Sequence, residues 1–163
     1  MSRILKYLKS KKGITLVWMA LILAVLLMFA GLAIDIAYMY YVKNQLQVAA
    51  DAAALAGAAN LDGTNSTDQT DAREKAVTFA AKNSAAGTPV ILASDGSNVL
   101  SIDNDITVGN WNPSRPPDDR YRVGEPPINA IQVITRRDET SDTSPRRQVR
   151  VFIGQIFRII NAD

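Results

Sequence analysis

The sequence predicts an α+β protein. One long N-terminal α-helix crosses a membrane and continues beyond it, and a small domain with one helix and antiparallel strands follows. Three observations carry this expectation. Ile14 to Ile34 is an uncharged apolar run of 21 residues, enough for a helix to cross a hydrocarbon core of roughly 30 Å. An alanine-rich segment follows at Ala49 to Ala59 without an intervening proline. From Pro89 onward, short β-branched runs alternate with turn residues, a strand texture.

The N-terminal part sets the topology. Arg3, Lys6, Lys9, Lys11 and Lys12 precede the apolar run, and Asp35 ends it. Lys and Arg stay on the cytoplasmic side, so the N-terminus is expected inside and the remainder outside. The expected organisation is a basic cytoplasmic segment (1–13), a transmembrane helix (14–34), an outer helical extension (35–60) and a small α+β domain (61–163). A cleaved secretory signal fits less well. Its apolar core is about 7–15 residues long with a small-residue site after it, whereas Asp35 to Tyr41 reads DIAYMYY.

Composition excludes several functions. The first twelve residues hold five of the 18 basic groups and no acidic ones, so the rest carries 13 basic and 16 acidic groups, a net −3. That is no nucleic-acid footprint. Cysteine and histidine are both absent, which removes thiolate chemistry, disulfides, imidazole catalysis and imidazole metal ligation. No catalytic, cofactor or metal site is expected, and the chain is read as a non-enzyme.

The first helix is expected from Ile14 to Ala59, about 70 Å at 1.5 Å per residue. Val42, Leu46, Ala49, Ala53 and Ala56 recur on one face, and Lys43, Gln47 and Asp51 on another. Asn60 to Asp68 is a turn-rich break. A second helix is expected over Asp71–Asn83, capped by Thr70 or Asp71, with Ala72, Ala76, Phe79 and Ala80 as its apolar stripe. Strands are expected at Val90–Ala93, Val99–Ile102, Ile106–Trp111, Ala130–Thr135 and Gln148–Ile153, the last two pairing as a hairpin. Pro113, Pro116, Pro117, Pro126 and Pro127 argue against ladder pairing in the loop from Asn112 to Pro127. The chain reaches Asp163 with no evident closing element, which suggests a domain that continues in a longer chain.

Candidate sites are few. Asp35, Tyr38 and Tyr41 mark the expected membrane boundary, Asp35 as a solvated carboxylate and the tyrosines as an interfacial belt. Ala49, Ala53 and Gly57, with Ala52 and Ala56, have small-xxx-small spacing for close helix packing. That face serves either another protein or the chain's own second helix. Asp103 with Asp105, and Asp118 with Asp119, read as polar turn residues, because neither a calcium loop nor an acid–base pair is visible around them. Arg136, Arg137, Arg146, Arg147 and Arg150 are expected to be screened by Asp138, Glu139 and Asp142 on a solvated hairpin.

Gly13 before the span, the exit Ala30-Gly31-Leu32-Ala33-Ile34-Asp35, and Leu46-Gln47 followed by Ala49 to Ala56 together resemble the N-terminal region of TadE/TadG-like proteins, minor pilin-like components of the tight-adherence (Flp) pilus machinery. Ala72 to Asn83, Val108 to Trp111 and Asn129 to Val133 resemble later blocks of the family more weakly. The resemblance implies a bitopic subunit of the bacterial inner membrane that serves pilus or secretion assembly. Its partners would be the lipid bilayer, other pilin-like subunits and further copies of itself. It also implies a candidate processing junction at Gly13–Ile14, although Trp18 stands where pilin-like chains usually carry Glu. Long TadG proteins are associated with a von Willebrand A-type domain. The Asp-x-Ser-x-Ser metal motif of that domain is missing here, so no metal site is carried over. A membrane-tethered binding or sensing module, with a recognition surface around Trp111 and Tyr121, is the alternative. An exported carboxylate enzyme is the least favoured reading.

Overall fold

A computed structural model of the chain describes residues 11–63, 66–101, 104–138, 148–149 and 151. It is α+β, with the element order α1 (Lys11–Ala58), α2 (Ser66–Ala81), β1 (Ser84–Ala85), β2 (Thr88–Pro89), β3 (Ile106–Trp111), β4 (Tyr121–Val123) and β5 (Ala130–Val133). The chain divides into two compact units with the boundary between Met39 and Tyr40. In the first, the described helix is apolar and exposed along nearly all of its length. The second, Tyr40–Val149, holds every other element.

α1 forms because Ala and Leu are its commonest residues and no proline interrupts it. Its end is tied off by Asn60, whose side-chain amide donates to the Ala56 carbonyl at 2.8 Å. The Asn60 and Leu61 amides bond to Gly57 and Ala58. α2 starts five residues earlier than expected, so Thr70 and Asp71 lie inside it and Asp68 occupies its first turn. An acidic side chain there complements the helix dipole. Asn83 closes the other end by donating to the Phe79 carbonyl.

Small residues set the packing of these two helices. Ala49 and Ala53 of α1 and Ala72, Ala76 and Ala80 of α2 are fully buried. A Cβ at Gly57 would come within 2.9 Å of the Ala72 carbonyl oxygen and 2.7 Å of Ile131 Cδ1. Phe79, expected in the same stripe, is instead substantially exposed, and Lys82 Nζ lies 4.2 Å above its ring. The cation holds the ring at the surface through its π-face.

β1 and β2 form a two-residue antiparallel ladder that was not expected. The turn between them places both Ala86 and Gly87 at positive φ, the geometry of a tight hairpin. The Ala86 amide donates to Gln45 Oε1 at 3.0 Å, docking the hairpin on α1. The larger sheet has the order β4-β3-β5 and is antiparallel throughout. Ile106 to Gly109 pair with Val133 to Ala130, and Gly109 to Trp111 pair with Val123 to Tyr121. β4 corrects the expectation of an unpaired proline-rich loop. Tyr121 to Val123 carry no proline, so the prolines flank the ladder without entering it. Val90–Ala93 is not a strand. Its polar groups are satisfied elsewhere: the Val90 amide bonds to Asn83, and the Ala93 amide donates to Asp105 Oδ2 at 2.8 Å. Val99–Ser101 is likewise not a strand. Of the expected final hairpin, residues 139–147, 150, 152 and 153 lie outside the described residues; Gln148, Val149 and Val151 carry no ladder.

The core is formed by Val42, Ala49, Ala53, Ala76, Ala80, Ala85, Val90, Leu92 and Ile106. Polar side chains fasten it. Arg73 of α2 is 7% exposed, and its guanidinium donates to the Ile106 carbonyl at 2.6 Å and to Asn98 Oδ1 at 2.5 Å. Asn98 Oδ1 also accepts the Val108 amide. Burial lowers the Arg73 pKa from its ordinary value, yet three bonded groups still depend on this one network.

Two outcomes test this packing by urea unfolding in detergent micelles. Gly57→Val should lower stability by about 2–3 kcal/mol through overpacking against a backbone oxygen. Arg73→Met keeps the volume but should cost about 2–3 kcal/mol, because charged hydrogen bonds are lost and the Ile106 carbonyl stays buried.

Candidate functional site

The expected site residues fall into three groups on α1. Gly13 and Ile14, the candidate junction, are exposed and helical, and nothing lies within 4 Å of a Cβ built at Gly13. At the expected membrane boundary, Tyr38 and Tyr41 are exposed, but Asp35 is only 5% exposed. A solvated carboxylate is therefore not what the structure shows. The Asp35 side chain is engaged rather than free, as a buried carboxylate requires if its desolvation is to be offset. The third group is the small-residue face. Ala49, Ala53 and Gly57 are buried, and Ala52 and Ala56 are half-buried. Within this chain, α2 and Ile131 occupy that face.

The described members of the two acidic pairs stand in different settings. Asp105 is fully buried, not a solvated turn residue, and its Oδ1 lies 2.5 Å from Arg136 Nη2. Asp103 lies outside the described residues. Asp118 is exposed, and Asp119 bonds to Arg122 Nη2 at 2.6 Å. No group of three or more His, Cys, Asp or Glu side chains that could hold a metal is found among the described residues. The arginines were expected on a solvated hairpin, but the two that are described are structural. Arg136 pairs with Asp105 and also lies 3.7 Å from Asp138, as the expected screening has it, and Arg137 donates to the carbonyls of Ala85, Thr88 and Pro89. Arg146, Arg147 and Arg150 lie outside the described residues. Thr135 adds a bond from its hydroxyl to the Leu46 carbonyl at 3.0 Å. Residues 135–137 thus strap β5 to α1, to the β1–β2 hairpin and to the loop before β3. A basic side chain such as Arg137, pointing at carbonyls 48–52 residues away, has no local sequence signal.

The two later blocks singled out in the sequence meet in space. β3 pairs with β5, and Asn129 reciprocates with Trp111: the Trp111 amide donates to Asn129 Oδ1 at 2.7 Å, and Asn129 Nδ2 donates to the Trp111 carbonyl at 3.2 Å. The Trp111 ring itself is half exposed. Beside it, Arg122 bridges Asp119 and Glu125, and Glu125 also pairs with Arg115. These ion pairs hold the ends of β4. Hydrogen bonds from Arg122 hold both carboxyls below their ordinary pKa values. Burial pushes the Tyr121 phenol up, and its hydroxyl lies 3.0 Å from Thr107 Oγ1. The arrangement fixes the surface around β4.

Among the described residues, one helix is long and apolar enough to cross a membrane, and no cluster of metal-binding side chains accompanies it. The family comparison makes this specific. The Flp pilus-assembly TadE/G-like family model matches residues 13–60, and the Tad-like Flp pilus-assembly family model matches residues 56–163. The chain belongs to the Tad-like Flp pilus-assembly family. No curated protein and no solved structure matches it.

The depressed carboxyl pKa values set a pH dependence. A carboxylate with a lowered folded pKa stabilises the fold above its unfolded value, and that contribution is lost as pH falls through the folded value. Protection of the Tyr121 to Val123 amides, relative to their intrinsic exchange rates, should therefore fall below about pH 4, the ordinary carboxylate range. Arg122→Gln should already show reduced protection at neutral pH, with little further loss in acid.

Proposed function

We propose that this protein is a structural, pseudopilin-like subunit of a tight-adherence pilus or related secretion system. It is anchored in the bacterial inner membrane by α1, with the N-terminus in the cytoplasm and Tyr40–Val149 outside. The observation that carries this reading is the exposure of the apolar run from Ile14 to Ile34. Large side chains such as Leu27, Met28 and Phe29 are exposed along it. Exposure on this scale is intolerable in water and expected in lipid. The five basic residues before it favour a cytoplasmic N-terminus. The work is assembly through helix packing in the bilayer and contacts of the outer unit, with no chemical step.

Exposed Trp111 and Val123 on neighbouring strands support a second reading, a membrane-tethered binding module. Deletion separates the two. Loss of pili with normal levels of the other subunits is expected for a structural subunit. Intact pili would overturn that role and leave the binding module. The N-terminal sequence and intact mass of the membrane-associated protein then define its place in the assembly. A chain beginning at Ile14 belongs to a processed pseudopilin, and one retaining Met1 to Lys12 belongs to a permanent anchor.

A further inference from the structure

The part of α1 beyond Tyr40 carries two apolar faces, and the described residues of the chain bury only one of them. Ala49, Ala53 and Gly57 turn toward α2. On another side, Tyr41, Val48 and Leu55 stand seven residues apart and are 58%, 59% and 76% exposed. Gln45, Ala52 and Ala59 each follow four residues later. The stripe thus alternates four- and three-residue steps, the repeat of a coiled-coil seam. It carries no charged residue. It is also not flat: Tyr41, Asn44, Gln45 and Val48 line a shallow cleft with Asn83 and Ser84. The bond from the Ala86 amide to Gln45 fixes the wall of that cleft.

We propose that this stripe is a self-association seam, on which a second copy of the chain packs in parallel and in register. Copies anchored by the same helix leave the bilayer in the same direction. A two-fold contact between them brings each residue against its own counterpart, and a seven-residue apolar repeat is self-complementary in that arrangement. An uncharged stripe brings no like charges together. Asp51, next to it, already accepts a hydrogen bond from Gln47 Nε2 at 2.8 Å. The size of the seam points to the same occupant. Three large side chains over about 21 Å of helix fall short of the roughly 1,000 Å² that freely diffusing partners need. Such a seam suffices for partners already concentrated by a shared membrane.

The inference rests on the anchoring proposed above, and the test separates the two. The chain contains no cysteine, so single cysteines report contacts cleanly. Full-length variants are reconstituted in phosphatidylcholine vesicles at low protein-to-lipid ratio and first washed in alkaline carbonate. Chains released by the wash would overturn the anchoring and the seam with it. Among retained chains, Val48→Cys and Leu55→Cys should form disulfide-linked dimers at least about fivefold more than Lys43→Cys and Gln47→Cys, following the heptad period. Adding Val48→Asp should suppress cross-linking at Leu55→Cys. Equal cross-linking at all four positions would overturn the seam while leaving the anchor intact. So would Val48–Leu55 cross-links without Val48–Val48 ones, which would mean a staggered packing.

Discussion

The second unit depends on how closely two helix backbones approach each other. Ala49, Ala53 and Gly57 on α1 and Ala72, Ala76 and Ala80 on α2 leave no room for a larger side chain. The apolar area contributed by each alanine is small, so burial alone stabilises this contact little per residue. Its value is geometric. With the helices this close, Ile131 of β5 reaches Gly57, and the sheet can pack over both.

A core of alanines has few large side chains to fix its neighbours, and polar cross-links supply the specificity instead. Arg73 ties α2 to β3 and to Asn98. Buried Asn104 donates to the Ser97 and Val99 carbonyls and accepts the Ile106 amide. Asp105 joins Ala93 to Arg136. Each of these groups would be costly to bury alone, and each is satisfied by backbone groups from a different segment. The extended chain between β2 and β3 is held this way without a ladder.

These two mechanisms differ in how legible they are in the sequence. The apolar run, the alanine repeat and the β-branched strands β3 and β5 are periodic signals, and the structure places elements on all of them. The buried role of Ala49, Ala53 and Gly57 follows from the same periodicity, although spacing alone could not say whether the occupant was α2 or another protein. Asp105, Arg73, Arg136 and Arg137 were not legible. A charged residue in a polar segment looks like a solvated turn, and nothing local marks the carbonyl or carboxylate it will reach. β4 was hidden for a related reason. Prolines at both flanks masked three residues whose partner strand was already correctly placed. Asp35 shows the limit most sharply, since an acidic residue at the end of an apolar run has the same sequence signature whether solvated or buried.

Fold and proposed function meet in the division of labour along the outer part of α1. An ordinary amphipathic helix turns one apolar face to its core and one polar face to water. Here the core-facing side is built of the smallest residues, and large apolar side chains remain on the outside at Tyr41, Val48 and Leu55. A soluble monomer gains nothing from that distribution, because the large side chains would contribute more if buried against α2. It becomes intelligible in a subunit whose folding and assembly draw on the same helix. Small residues bring the chain's own elements close, and in the proposed seam the large ones serve a neighbour that a shared membrane keeps within reach.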